Sequence, residues 1–121
     1  MITLYGIPNC DTVKAARAWL AAQQIPHVFH DYKKLGVPPD HLARWAAALG
    51  WERLLNRQGT TWRRLDPRRQ AAVVDSAAAM ALMVEEPSLV RRPVVEWPDG
   101  GISVGFTADD WQARAGRQPP G

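Results

Sequence analysis

The amino-terminal third of the chain sets the strongest constraint on its fold, because it reads as strand, helix and strand within about thirty residues. The segment "ITLYG" (2–6) alternates well enough for a short strand and is closed by Gly6 and Pro8. Asn9 offers a helix N-cap, and residues 11–23 are rich in alanine and leucine, with Val13, Ala16 and Leu20 recurring at helical spacing. Pro26 then introduces "HVFHDY" (27–32) as a second strand. A helix carrying the chain from one strand to the next predicts a βαβ unit with parallel strands and a right-handed crossover.

The pattern turns helical beyond Leu35. "GVPPD" opens a helix that runs to Leu49, with Leu42, Trp45, Ala46 and Leu49 on one face and Gly50 ending it. "WERLLN" reads as a helical turn and "RQGTTWRR" as a loop, and Asp66-Pro67 supplies a cap followed by proline at the first helical position. Residues 75–86, "DSAAAMALMVEE", form a strong helix stopped by Pro87, in which Ala79, Met80, Leu82 and Met83 read as core filling. Strands return in "PVVEW" and "ISVGF", which flank "PDGG" and predict an antiparallel hairpin. Thr107, with Asp110 three residues on, starts a last helix. The expected architecture is α/β: a four-stranded mixed sheet with flanking helices and an all-helical insertion. It forms a single domain over residues 1–114, with a core from 1–34 and 88–114, an insertion at 35–87 and a frayed tail at 115–121.

Charge and composition exclude several classes of function. The basic residues come in scattered pairs, Lys33-Lys34, Arg63-Arg64, Arg68-Arg69 and Arg91-Arg92, as expected of a solvated surface and not of a nucleic-acid interface. No apolar run approaches the roughly 18 residues of a membrane span, and the start "MITLYG" lacks the features of a signal peptide. His27 and His30 project to opposite faces of a strand, and His41 has no cysteine near it, so no metal site is expected. With one cysteine in 121 residues, an intramolecular disulfide is impossible, and a reduced, cytoplasmic setting is expected. Nothing reads as a repeated apolar face, so the chain is expected to be a monomer.

That cysteine, Cys10, falls in the turn between the first strand and the first helix. A thiol reacts as thiolate and needs help to ionise at neutral pH. The first N–H groups of a helix supply some, since they carry about half a positive charge. Positions 10, 14 and 17 fall within a narrow arc of one helical face, which predicts that Lys14 and Arg17 flank the sulfur, while Asp11 opposes them. Arg91-Arg92-Pro93 stands where the helical region gives way to the third strand, a natural place for either a cis or a trans proline peptide.

The runs "LYGIPNCDTVKAARAWL", "FHDYKKLG", "GWERLLNRQGTTWRRLD", "ALMVEEPSLVRRPVV" and "GFT", in this order, resemble the YffB-type branch of the arsenate reductase (ArsC) and Spx-related family from about residue 1 to 114. The resemblance implies a thioredoxin-like sheet. It also implies that Cys10 is the redox nucleophile, that Pro93 is the cis-proline of that fold, and that Arg92 reaches toward the sulfur. Arsenate reductases of the family follow their cysteine with Gly-Thr-Ser and carry further arginines for the oxyanion. Here the run is "CDTVK", Asn56 replaces a family arginine with Arg57 beside it, and "VGF" has no arginine near Gly105. Spx-type regulators carry Cys-x-x-Cys, where this chain has Val13.

These departures point to a glutathione-dependent thiol-disulfide reductase. Its single cysteine forms a mixed disulfide with glutathione, which acts as co-substrate with no bound cofactor. Cys10 and Arg92 are the expected catalytic pair, and Asn9, Lys14, Asn56, Arg57 and Pro93 the expected substrate-binding residues. The expected partners are glutathione and an oxidised thiol or oxyanion, with glutaredoxin as a further candidate. The alternatives are an arsenate reductase linked to glutathione or glutaredoxin, and a non-catalytic module that contacts RNA polymerase as Spx relatives do.

Overall fold

The computed structural model describes residues 1–116. The chain divides into two compact units, one made of Met1–Tyr32 with the segment from Arg92 onward, the other of Lys33–Arg91.

In the first unit, β1 (Ile2–Gly6) lies between two partners, and its residues are buried except for half-buried Thr3. It pairs in parallel with β2 (His27–Asp31) and antiparallel with β3 (Val94–Glu96), which pairs antiparallel with β4 (Ile102–Val104). The order is therefore β2-β1-β3-β4, a mixed four-stranded sheet as expected. The parallel pair is joined by α1 (Asp11–Ala22), whose Val13, Ala16 and Leu20 are fully buried. They pack with Ile2, Leu4, Val95, Trp97 and Trp111 in one core. Each valine, leucine or isoleucine among them contributes about 1.5–3 kcal/mol by leaving water. The carboxyl-terminal helix of this unit (Ala108–Gly116) starts at Thr107, whose hydroxyl accepts the Asp110 N–H at 3.3 Å. Its Trp111 is fully buried, with the rings of Phe106, Trp97 and Trp19 at 4.8, 5.4 and 6.0 Å, all near-perpendicular, an arrangement that suits the aromatic quadrupole. Residues 115 and 116, expected to fray, belong to this helix; the remainder of the expected tail lies outside the described residues.

Between β3 and β4, Trp97 and Gly101 close the loop, with the Trp97 N–H donating to the Gly101 carbonyl at 2.8 Å. Gly100 takes a φ of +91°, which explains a glycine directly after Asp99. Buried Ser103 accepts the indole N–H of Trp97 at 2.9 Å, so neither polar group is stranded in the core.

The second unit follows Tyr32, the first residue of the helical turn α2 (Tyr32–Leu35). It holds α3 (Pro39–Leu49), α4 (Trp51–Leu54), α5 (Thr60–Arg63), α6 (Pro67–Ala71) and α7 (Ser76–Glu85). With them in view, the carboxyl-terminal helix is α8. Leu42, Trp45, Leu54, Ala79 and Met83 are its fully buried side chains on these helices. Asp66 caps as its position suggested, accepting the Arg68 N–H at 2.8 Å, and Asp75 caps α7 in the same way, accepting the Ala78 N–H at 2.8 Å. Two expectations need correction. "RQGTTWRR" is not a loop throughout, because Thr60–Arg63 is a helical turn begun at Gly59. Nor is the insertion entirely helical: Leu55 and Val90 form an antiparallel bridge, with Asn56 N–H donating to Leu89 and Arg91 N–H to Leu54, both at 2.7 Å. A short 3-10 turn at Pro87–Leu89 ends the helical run and leaves Val90 extended, and tertiary packing sets it beside Leu55, both side chains being buried.

Candidate functional site

Because β1 and β2 are parallel and β3 runs against them, the exits of β1 and β2 and the entry of β3 share one edge of the sheet. Cys10 follows the exit of β1, Tyr32 follows β2, and Arg92 precedes β3.

The turn after β1 closes with the Cys10 N–H donating to the Ile7 carbonyl at 3.3 Å. Cys10 itself is the N-cap of α1, in an extended conformation with φ −95° and ψ 127°. Asn9, expected to cap, is an exposed residue of the preceding turn. The difference matters chemically. An N-cap side chain faces the orphan N–H groups at the second and third helical positions, a place normally held by Ser, Thr, Asp or Asn oxygen. Here it is held by sulfur. Gly6 lets the strand and helix come this close: a Cβ on it would lie 2.8 Å from Cγ2 of fully buried Val13.

Burial raises the Cys10 pKa, but other effects outweigh it and the net shift is downward. In order of size they are the Val13 N–H, a hydrogen bond from the Arg92 side chain, the Thr12 N–H and the Arg92 charge. The sulfur makes no cap hydrogen bond of ordinary geometry, so Val13 and Thr12 act chiefly as dipoles directed at it. Cys10 is half-buried and packs against the core.

Arg92 is half-buried, and the Arg92-Pro93 peptide is cis. Burial pulls the guanidinium pKa down, yet hydrogen bonding first to Tyr32 and then to Cys10 leaves it raised. Tyr32 was not marked by sequence reasoning. It is fully buried, and burial pushes its phenol up to about 12, against the lowering effect of Arg92. One signal existed in the sequence: a tyrosine at a strand end must place its hydroxyl against a polar partner if it is buried.

The remaining expected residues are placed as follows. Lys14 is exposed on α1. Arg17, expected beside the sulfur, instead sets its guanidinium over the Phe29 ring, 4.3 Å from the centroid. Asn56 and Arg57 belong to the second unit. There the Asn56 side chain accepts the Gln58 N–H at 3.0 Å, while the Arg57 guanidinium lies 5.5 and 5.7 Å from the Trp51 and Trp62 rings. Among the described residues, no group of three or more His, Cys, Asp or Glu side chains gathers to hold a metal, and no helix is long and apolar enough to cross a membrane.

The family model for the ArsC family matches residues 5–114. An uncharacterized protein of Haemophilus influenzae is 41% identical over 113 residues, covering 93% of this chain and 97% of the relative. The global transcriptional regulator Spx 1 of Lactococcus lactis is 27% identical over 118 residues, covering 93% of this chain and 88% of the regulator. Among solved structures, the YffB protein superimposes with a TM-score of 0.88 at 46% identity, covering 94% of this chain and 98% of that one. An arsenate reductase (ArsC) related protein of Brucella melitensis gives a TM-score of 0.72 at 47% identity, covering 93% and 92%.

Proposed function

The chain belongs to the ArsC family, and on that footing we propose that it is a glutathione-dependent thiol-disulfide reductase whose nucleophile is Cys10. One observation carries the reading: the only cysteine stands, half-buried, at the N-cap of α1 with Arg92 bonded to it, so that its thiolate is favoured. In the first step the Cys10 thiolate attacks the glutathione sulfur of a mixed disulfide RSSG. A Cys10–glutathione disulfide forms, and the departing RS⁻ takes a proton from water. In the second step the thiolate of free glutathione attacks the glutathione sulfur of that adduct. Oxidised glutathione leaves, and the Cys10 thiolate is restored beside Arg92. The net change is RSSG plus GSH to RSH plus GSSG, so the chain needs no resolving cysteine of its own. Lys14 is assigned to the glutathione carboxylates, with Asn9 contributing from the turn.

The test is intact mass and turnover with reduced glutathione and a glutathione mixed disulfide, for the wild type and Cys10→Ser. A glutathione adduct and turnover in the wild type, both lost in Cys10→Ser, are expected; neither appearing would sink the proposal. A second reading is favoured by the likeness to Spx regulators, namely a module that docks on RNA polymerase. Polymerase capture that survives Cys10→Ser, together with absent turnover, would favour it. Arsenate in place of the disulfide, in the same assay, addresses reduction of an oxyanion.

A further inference from the structure

Arg92 must hold one direction for its charge to act on the Cys10 sulfur, and an arginine side chain has several rotatable bonds with which to leave it. Backbone hydrogen bonds on either side, from the Arg91 N–H to the Leu54 carbonyl at 2.7 Å and from the Gly105 N–H to the Pro93 carbonyl at 2.8 Å, fix where the Arg92 side chain starts but leave the direction of its guanidinium to side-chain contacts. The structure places one rigid group there. Tyr32 follows β2 at the same sheet edge, its side chain is fully buried, and its hydroxyl is hydrogen-bonded to Arg92.

We propose that Tyr32 is the positioning residue of this site: its buried hydroxyl oxygen accepts a guanidinium N–H and thereby fixes Arg92 with another N–H aimed at Cys10. The fork of an arginine suits this bridge because its donors lie in one plane at fixed angles. A lysine has no such plane. Tyrosine suits the other end because its ring is immobilised by burial and, with its phenol pushed up to about 12, it remains neutral and stays an acceptor through the whole working range. Asp31 and the Cys10 thiolate are the negative groups that act on the phenol, and Arg92 is the opposing positive one. The charges bearing on the sulfur come from Arg92 before β3 and from the α1 N-terminus. Tyr32 thus reaches the thiol through Arg92 and forms no bond with substrate.

The inference rests on Cys10 acting as a thiolate nucleophile, but its test requires neither glutathione nor turnover. The rate of Cys10 alkylation by iodoacetamide is measured against pH in the wild type, Tyr32→Phe, Arg92→Gln and the double variant, with a thermal melt of each. Tyr32→Phe removes only the oxygen. Its alkylation profile is expected to move to higher pH, with a several-fold slower rate at neutral pH, while in the Arg92→Gln background the same change has no further effect. A Tyr32→Phe profile equal to wild type, or an equal additional shift in the Arg92→Gln background, overturns the proposal. Arg92→Lys gives an independent arm that does not depend on Tyr32→Phe folding: it keeps the charge but loses the fork, and its profile should shift with that of Tyr32→Phe. An unchanged Arg92→Lys profile also overturns it. A missing glutathione adduct alongside these shifts would count against the reductase alone.

Discussion

Gly6→Ala is the perturbation whose sign the structure decides. The residue sits at the end of β1 without the positive φ that would demand glycine, so backbone freedom alone makes alanine the better residue there, by about 0.5–1 kcal/mol. Space opposes it. The new Cβ would lie 2.8 Å from Val13 Cγ2 and 3.4 Å from Val13 Cγ1, where carbon atoms prefer roughly 3.5–4.0 Å. Val13 cannot yield cheaply, because it is fully buried and branched at Cβ. Overpacking of this kind costs about 1–3 kcal/mol. The net expectation is a loss of about 1–2 kcal/mol, or roughly 4–8 °C in Tm for a chain of this size. Thermal and urea melts of Gly6→Ala, Val13→Ala and the pair measure it. The pair should be more stable than the sum of the single losses by about 1 kcal/mol, since Val13→Ala removes both clashing methyl groups. The first turn of α1 carries the Val13 N–H that favours the thiolate, so Gly6→Ala should also slow Cys10 alkylation. A variant as stable as wild type or more so, with simple additivity, would refute the reasoning.

Asp75→Ala should destabilise the second unit by about 1 kcal/mol through loss of the α7 cap, read in a urea melt. By contrast Arg69→Ala, which breaks the exposed 2.8 Å ion pair with Glu85, should be nearly silent. Tyr32 makes stability fall in alkali. Its pKa is raised from 10.0 to about 12 on folding, so its contribution is complete below pH 10 and is lost as pH rises through 12. The loss is on the order of 3 kcal/mol, and it should be absent from Tyr32→Phe in melts across that range.

Much of the architecture is legible in local pattern. The α1 stripe at Val13, Ala16 and Leu20 and the Asp-Gly turn between β3 and β4 each announce their element through short-range chemistry, and the structure has both. The departures come where tertiary packing decides. Leu55 and Val90 lie far apart in sequence, so nothing near either residue signals their bridge. At the site, the sequence marks Cys10 and the Arg92-Pro93 pair, but helical spacing places Arg17 near the sulfur when its guanidinium in fact covers Phe29 across on β2. Spacing fixes the direction of a Cβ and not the end of a long side chain. Tyr32 was hidden for the opposite reason: its role comes from strand order, which brings the ends of β2, β1 and β3 together from residues about sixty apart.

The central claim is that Cys10 is a poised thiolate and not an inert core thiol. The pH profile of its alkylation in the wild-type chain tests this most directly, measured beside a free cysteine peptide in the same buffers. Because the helix N-terminus and Arg92 lower the thiol pKa against the effect of burial, the rate should reach half its maximum at a lower pH than the peptide does. A midpoint at or above that of the peptide would contradict the account.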